Sequence, residues 1–527
     1  MLVDKMSETN NNDLNIAKVP FETALDKANF GPYSYMLTVL TGVSIISYAC
    51  MVYSSTIIVP TSACELGTTH SQQGLLVAGP LVGAILGAIL WGYLADRHGR
   101  RSMLLVSFLS AAVVNSVASL SVNWIMLIVL QFLVALLASG QYSLAMTLLS
   151  ECVPMARRNL VVLIVASIFL LAQGVMALLA IPIIPLEFSY HLPSLGIYWN
   201  PWRTVLLVYS LPSLICLLGV YFMMESPKFV YAKGDEERSL DILKYIHKVN
   251  SGRNSKEEYQ VKGLLADTTI AQDDGKSLHS VAELLKAPLL KYLIIMSTLS
   301  VFQQVGAFTL WLPTIANQFV NIVKTGEGRN YTLCQILVAG KNASRHSTLP
   351  ACALNETALL IVFGMGCIQS LCNIFLSMVV NYGGRRNTVM VLASVSGVSG
   401  ILVNLVPDAV GSAVFFVIFL MGLLLLGLYT AISVALFPTH LRALAVSLTM
   451  TGGRVVLFAV VQILNFLLKH NCDLGFYIFA SIIAASAVVV SFLPDDRRKQ
   501  LTPPKKATKA VQTTQNLDTT EKNIQKR

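Results

Sequence analysis

The sequence predicts an all-α membrane protein: twelve transmembrane helices in two pseudo-symmetric six-helix halves. Three observations carry that prediction. Charge is scarce: 13% of the 527 residues are charged, against about 25% in a soluble domain, and mean hydropathy is +0.64. Twelve apolar windows approach the ~20 residues that a helix needs to cross the hydrocarbon core. Charged motifs recur between those windows at an almost constant offset.

The windows fall at 35–60, 72–95, 102–122, 124–148, 159–184, 203–224, 289–317, 357–380, 387–406, 410–437, 443–468 and 474–493. A hydrophilic stretch parts the sixth from the seventh. The expected plan is an amino-terminal segment (1–34), a first half (35–224), a linker with amphipathic helices (225–288), a second half (289–493) and a basic tail (494–527). The first 30 residues lack a signal-peptide pattern, so the first span is expected to start insertion. Leu240, Leu243, Ile246 and Val249 recur every three residues and predict an amphipathic helix in the linker.

Basic residues set the orientation. Arg97, Arg100 and Arg101 follow span 2, Arg157 and Arg158 follow span 4, Arg385 and Arg386 follow span 8, and Arg442 follows span 10. Lys and Arg also crowd 228–263, whereas the loops at 61–71 and 407–409 have none. The positive-inside bias then makes both termini and the linker cytoplasmic. An independent sign agrees. The acceptor sequons at Asn330, Asn342 and Asn355 all lie in the loop 318–356, on the side the charges leave outside. Cys334 and Cys352 share that loop and are candidates for a disulfide; Cys64 and Cys472 lie near the same face as alternative partners. Much of the net charge of +10 lies in the carboxy-terminal tail and in the middle of the chain, in short runs without interleaved aromatics, which points to membrane topology and not to nucleic acid. Among nine cysteines there is no CxxC pair and no metal-ligand spacing, so neither a metal nor a cofactor is expected. No nucleotide loop or nucleophile elbow suggests an enzyme.

"DRHGRRS" after span 2 aligns with "NYGGRRN" after span 8 at an offset of 285, and "ECVPMARR" after span 4 with "ALFPTHLR" after span 10 at 284. Two marker pairs at nearly one offset predict that the halves are repeats. Gly92 would allow close helix approach and Gly99 a tight turn. Asp96 can pair with a base, and Arg97, Arg100 and Arg101 can anchor the loop. The second copy has Asn381 and Tyr382 in place of the Asp–Arg pair, and Ala435 in place of Glu151, so its charge set is weaker.

The motif G-x-x-x-D-R-x-G-R-R resembles the strongest mark of the major facilitator superfamily over residues 30–495. "ESPKFVYAKGDEERSLDILKYIHKVN" resembles an element of sugar-porter-like and organic-ion-transporter-like members. "FETALDKANFGPYSYML" resembles the leading segment of the synaptic vesicle glycoprotein 2 group and its insect relatives. The resemblance implies alternating access between the halves. Gly92, Asp96, Arg97, Gly99, Arg100, Arg101, Glu151, Arg158, Arg385, Arg386 and Arg442 would form a cytoplasmic latch. Simple topogenic charge is the alternative.

Intramembrane charge costs about 2.5–3.5 kcal/mol on insertion scales and marks function. Arg454 is the one such residue found well inside a span. It lies twelve residues past Arg442, roughly 18 Å along a helix, with Gly452 and Gly453 leaving room beside it. It would contact an anionic or strongly polar ligand group; the alternative is a structural Arg bonded to backbone carbonyls or a Gln. Tyr48, Gln141, Gln173, Gln303, Gln304, Trp311 and Tyr429 are candidates to complete the site, although intramembrane Gln also serves as helix–helix glue. Tyr33, Tyr35 and Trp202 read as interfacial anchors. The absence of Asp, Glu and His from mid-span favours exchange or facilitated diffusion over proton symport. The expected function is a monomeric secondary transporter of a small organic ion or polar metabolite in a plasma or vesicle membrane; Arg454 tilts the substrate toward an organic anion or zwitterion, whereas the family resemblance tilts it toward organic cations. A vesicle or surface glycoprotein that keeps the fold mainly for binding or trafficking is the alternative.

Overall fold

The computed structural model describes residues 18–186, 188–193, 196–251, 259–265, 284–287, 289–303, 306–325, 330–343, 354–437 and 441–494. In chain order its helices are α1 (Phe21–Lys27), α2 (Pro32–Val52), α3 (Ser55–Leu66), α4 (His70–His98), α5 (Arg100–Ala118), α6 (Trp124–Cys152), α7 (Met155–Ala180), α8 (Pro201–Tyr221), α9 (Pro227–Ala232), α10 (Glu236–Ser251), α11 (Leu289–Phe302), α12 (Gly306–Thr325), α13 (Leu333–Ala343), α14 (Glu356–Gly383), α15 (Arg385–Leu402), α16 (Ala409–Leu420), α17 (Leu425–Leu436), α18 (Arg442–His470) and α19 (Cys472–Ser491). A short hairpin, β1 (Tyr190–Leu192) with β2 (Ile197–Trp199), precedes α8.

Among the described residues, eleven helical segments are long and apolar enough to cross a membrane. The expected ninth span is α15. It opens on Arg385 and Arg386 and is rich in Ser and Gly, which lowers its hydropathy without preventing the helix. The ends of these helices follow local chemistry. Thr69 and Gln72 form a reciprocal capping box at α4. Asn123 accepts from the Met126 N–H at α6, and Asp408 from the Gly411 N–H at α16.

The first span is interrupted. α2 stops at Val52 and α3 starts at Ser55, with the Ser54 hydroxyl donating to Gln131 Oε1 of α6 at 2.7 Å. Pro60 sits inside α3, where it has no N–H to offer the Thr56 carbonyl. The seventh span likewise divides into α11 and α12. The tenth passes from α16 to α17 through a 3₁₀ turn, Met421–Leu424.

Within the first half, α4 packs on α6, and α2 packs on α6, α7 and α8; in the second, α15 packs on α19 and α11 on α18. The halves meet chiefly through α7 with α14 and α4 with α18, and also through α3 with α12. Glycines permit the closest approaches. Added Cβ atoms on Gly83 and Gly87 would run into the Phe132 and Leu136 carbonyls of α6. Backbone cannot step aside as a side-chain tip can, so Gly87→Val should cost about 3 kcal/mol, at the top of the usual overpacking range. Thermal unfolding in detergent checks it, with Gly92→Ala as the silent control. Gly92 itself has nothing within 4 Å of where a Cβ would stand, so the close approach expected there falls instead at Gly83 and Gly87.

Segments flanking the first half fold beneath it. Phe21, Ala24 and Leu25 of α1 bury against Leu240 and Leu243 of α10, with Val261 and Leu264 closing the cluster. Tyr259 donates to the Ala24 carbonyl at 2.7 Å, and burial pushes its phenol pKa up. This platform supplies amino-terminal caps to three spans that start above it. Asn250 Oδ1 accepts from the Tyr33 and Ser34 N–H groups of α2 at 3.0 and 3.4 Å. Glu225 accepts from the Arg101 and Ser102 N–H groups of α5 at 2.9 and 3.4 Å. Asp26 accepts from the Met155 N–H of α7 at 2.8 Å. Each satisfies donors that a helix leaves open at its start, and the two carboxylates also complement the helix dipole.

Two expectations are corrected here. Cys334 is disulfide-bonded to Cys472, not Cys352, because α13 lies against the start of α19 and brings their Cα atoms to 5.6 Å. Cys64 is also disulfide-bonded, and Cys352 lies outside the described residues. Of the three aromatic anchors, Tyr35 is exposed, but Tyr33 and Trp202 are core residues, and the Trp202 indole donates to Glu65 at 2.7 Å.

Candidate functional site

Arg454 stands on the face of α18 that meets the first half. With Leu457 it borders a cavity of about 40 Å³ whose other walls include Tyr48, Tyr53, Leu81 and Ile85. Gly453 lies against Ser300 of α11, and this approach seats α18 there, while Gly452 opens on free space. Arg454 is exposed and makes no hydrogen bond or ion pair with the described residues, so the structural alternative of a guanidinium spent on backbone carbonyls is not what they display. Facing it is an aromatic wall. Tyr48 contacts Tyr53 edge-on at 6.1 Å and Tyr142 at 5.4 Å between centroids; Tyr142 in turn meets Phe169 at 5.8 Å. The phenols of Tyr48, Tyr53 and Tyr142 all lie within reach of the Arg454 charge. The break between α2 and α3 presents Tyr53 at this level. Interrupted helices at mid-membrane are a recurrent way to build a site.

The other polar candidates divide by which side of their helix faces a neighbour. Gln141 is fully buried inside the first half. It accepts from Ser47 at 2.9 Å and donates to Ser213 at 3.1 Å, so it is helix glue and not part of the cavity. Gln303 turns into the second half and donates to the Leu423 carbonyl at 3.4 Å. Tyr429 is fully buried in the second half's core. Gln173 bridges the halves, donating to the Thr309 carbonyl at 2.7 Å. Asn373 does the same, to Ser167 at 2.9 Å. Trp311 is buried in the wall of a separate cavity at the far end. Gln304 lies outside the described residues.

The basic loops are organised differently from a latch between halves. Gly99 makes its turn at φ +98°. Arg100 pairs with Asp96 at 3.1 Å and Glu151 at 3.3 Å, and its guanidinium lies over the Phe229 ring. Glu151 also accepts from Ser226. Arg97 lies over Tyr93. Arg101 donates to the Val220 and Tyr221 carbonyls. Arg158 does not join Glu151: α1 brings Glu22 to it, at 2.8 Å. Arg385 donates to Ala431 O and Arg386 to Ser491 O. Every one of these partners belongs to the residue's own half or its flanking platform. In this state the cluster fastens the first half to the linker, in place of the expected bridge to the second. The Arg442 side chain is not among those described.

At the opposite end the halves do touch. Asn465 of α18 donates to the His70 carbonyl at 2.8 Å, and α3 packs on α12. Of the sequons, Asn330 is exposed before α13. The Asn355 side chain is engaged with Asn321 at the start of α14. Asn342 lies on α13, its side chain not described. One buried ion pair had no sequence signal: Arg203 of α8, fully buried, is bonded to Glu65 of α3 at 2.6 Å.

Comparisons with known proteins agree with this architecture. SVOPL of Mus musculus is 22% identical over 489 residues, 90% of this chain and 91% of that protein. The Synaptic vesicle 2-related protein of Xenopus laevis is 26% identical over 225 residues, 43% of this chain. The chain spans less than half the length of several curated relatives it matches, 38% of the frog protein and 41% of another. Among solved structures, the partially occluded inward open conformation of the xylose transporter XylE from E. coli aligns with a TM-score of 0.63 at 15% identity, covering 88% of this chain and 99% of that one, a likeness of fold. The profile of the Major Facilitator Superfamily matches residues 40–339. The helical halves that meet through α4–α18, α7–α14 and α3–α12 are therefore those of a chain that belongs to the Major Facilitator Superfamily.

Proposed function

We propose that the chain is a secondary transporter that moves a small organic anion or zwitterion by alternating access between its halves. The observation that carries this reading is Arg454, an intramembrane cation bordering a cavity between the halves, free of bonds to the described residues and faced by three tyrosines. A carboxylate would take two guanidinium N–H donors, with phenols packing on the ligand's apolar body. The basic end is cytoplasmic in this reading, as are both termini. The basic clusters tied inside each half and the Asn465 bond across the far end support, in this reading, a state closed to the outside. Rocking would break the far contacts and bring the basic loops together. The protein acts as a monomer, and Asn330 carries glycan most readily of the three sequons.

Purified protein in proteoliposomes loaded with unlabelled benzoate should accumulate labelled benzoate by exchange, and should take up benzylamine, its charge-reversed counterpart, at least tenfold more slowly. An imposed pH gradient should leave the benzoate exchange rate above that of protein-free liposomes unchanged, because no carboxylate or imidazole among the described residues lines the Arg454 cavity. Preference for the amine would overturn the anion assignment. Strong acceleration by the gradient would overturn uncoupled exchange. Absence of flux for any ligand that binds would favour a fold kept for binding or trafficking.

A further inference from the structure

A second cavity, of about 220 Å³, lies at the end opposite the basic loops. Both halves build it: Pro60 and Gln73 from the first, Trp311, Gln318, Asn465 and Lys469 from the second. Its polar lining is rich in donors, and no carboxylate is among the lining residues. Lys469 is exposed, with no ion pair among the described residues. Trp311 is 7% exposed, yet its indole N–H has no hydrogen-bond partner among the described residues. A buried indole normally finds one, and leaving it unmade costs about 1–3 kcal/mol.

The geometry of α18 ties this cavity to the central one. Asn465 and Lys469 follow Arg454 by 11 and 15 residues, close to whole turns, which puts them on about the same face roughly 16 and 22 Å farther along. That face looks across to α4 at both levels: Arg454 borders the cavity with Leu81 and Ile85, and Asn465 bonds the His70 carbonyl. One helix thus presents a cation at mid-membrane and another at the outer rim, both toward the other half.

We propose that the outer cavity is a second binding site for a small carboxylate with an apolar body, held by the Lys469 ammonium and the Trp311 indole N–H. The volume is below that of sites for drug-sized ligands and fits a compact body. The Trp311 ring and Pro60 supply apolar wall, and the charge pattern repels an amine. The site is an outer station on the path to Arg454 and in that respect rests on the reading of Arg454 as the central carboxylate contact.

The test is equilibrium binding of labelled benzoate to the full-length chain in nanodiscs, with benzylamine as control. Two benzoates per chain are expected. Lys469→Gln and Trp311→Phe should each weaken one of the two sites at least tenfold and leave the other intact; Lys469→Arg should restore binding. Lys469 is on the surface, so Lys469→Gln should melt like the wild type even if Trp311→Phe does not. Arg454→Gln should remove the other site alone. If Lys469→Gln and Trp311→Phe both bind two benzoates as the wild type does, or if the wild type binds fewer than two, the outer site is overturned. Equal binding of benzylamine there overturns it as well. Loss of all binding in Arg454→Gln leaves the central reading standing without the outer site. Two benzoates retained in Arg454→Gln, with one lost in Lys469→Gln, sinks the central reading and not this one.

Discussion

Arg203→Ala should destabilise the protein by about 3–5 kcal/mol, the usual cost of stranding one partner of a buried ion pair. Arg203 is fully buried in the first turn of α8, an unfavourable end for a cation. Its environment is built around the charge. The guanidinium donates to Glu65 Oε1 and the Ser119 carbonyl, each at 2.6 Å, and to the Tyr198 carbonyl at 2.9 Å, and it stacks on Trp202 at 4.3 Å. Glu65 is held in turn by Trp202 and by Asn200 at 2.7 and 2.6 Å. Removing the guanidinium leaves a carboxylate, 19% exposed on its side chain, without its counter-charge. Thermal unfolding of the detergent-solubilised protein measures the loss. Because the cost comes from stranding and not from the pair's net worth, Arg203→Met with Glu65→Leu should recover more than half of it. A single Ala variant that melts like the wild type would refute this account.

Arg454→Gln should lower kcat/KM for benzoate exchange about 10- to 100-fold, the range for losing a hydrogen bond to a charged group. Stability should not fall with it, since Arg454 bonds to none of the described residues. Arg454→Lys keeps the charge but not the planar fork, and should lose less than Gln does. The combination separates a ligand contact from a packing role: a structural Arg would lose melting temperature and exchange together. Wild-type exchange in Arg454→Gln would end the proposal.

The spans were legible because hydrophobic length is a local property, readable one window at a time. The sites were less so, because they depend on which side of a helix meets which neighbour. Gln141 and Gln173 look alike in sequence, yet one bonds Ser47 and Ser213 inside a half and the other crosses to Thr309. Arg454 could be singled out because charge in an apolar run is costly wherever the helix faces. Gly92 belongs to a motif, but helix contact is decided by register, and Gly83 and Gly87 are the glycines that meet α6. Glu65 and Arg203 are 138 residues apart, so no local window pairs them. Four cysteines near one face allow three pairings, and the position of α13 beside α19 selects Cys334 with Cys472.

The platform has a consequence for biogenesis. The residue that caps α2, Asn250, follows Tyr33 by 217 positions. At ~5–20 residues per second, the ribosome takes about 10–40 s to deliver it. The opening helix therefore waits in the bilayer with bare amide ends until the stretch after the sixth crossing has emerged, and the first six-helix unit closes only then. Chains interrupted before Asn250 would hold all six crossings and still lack that lock, which makes them natural targets for quality control.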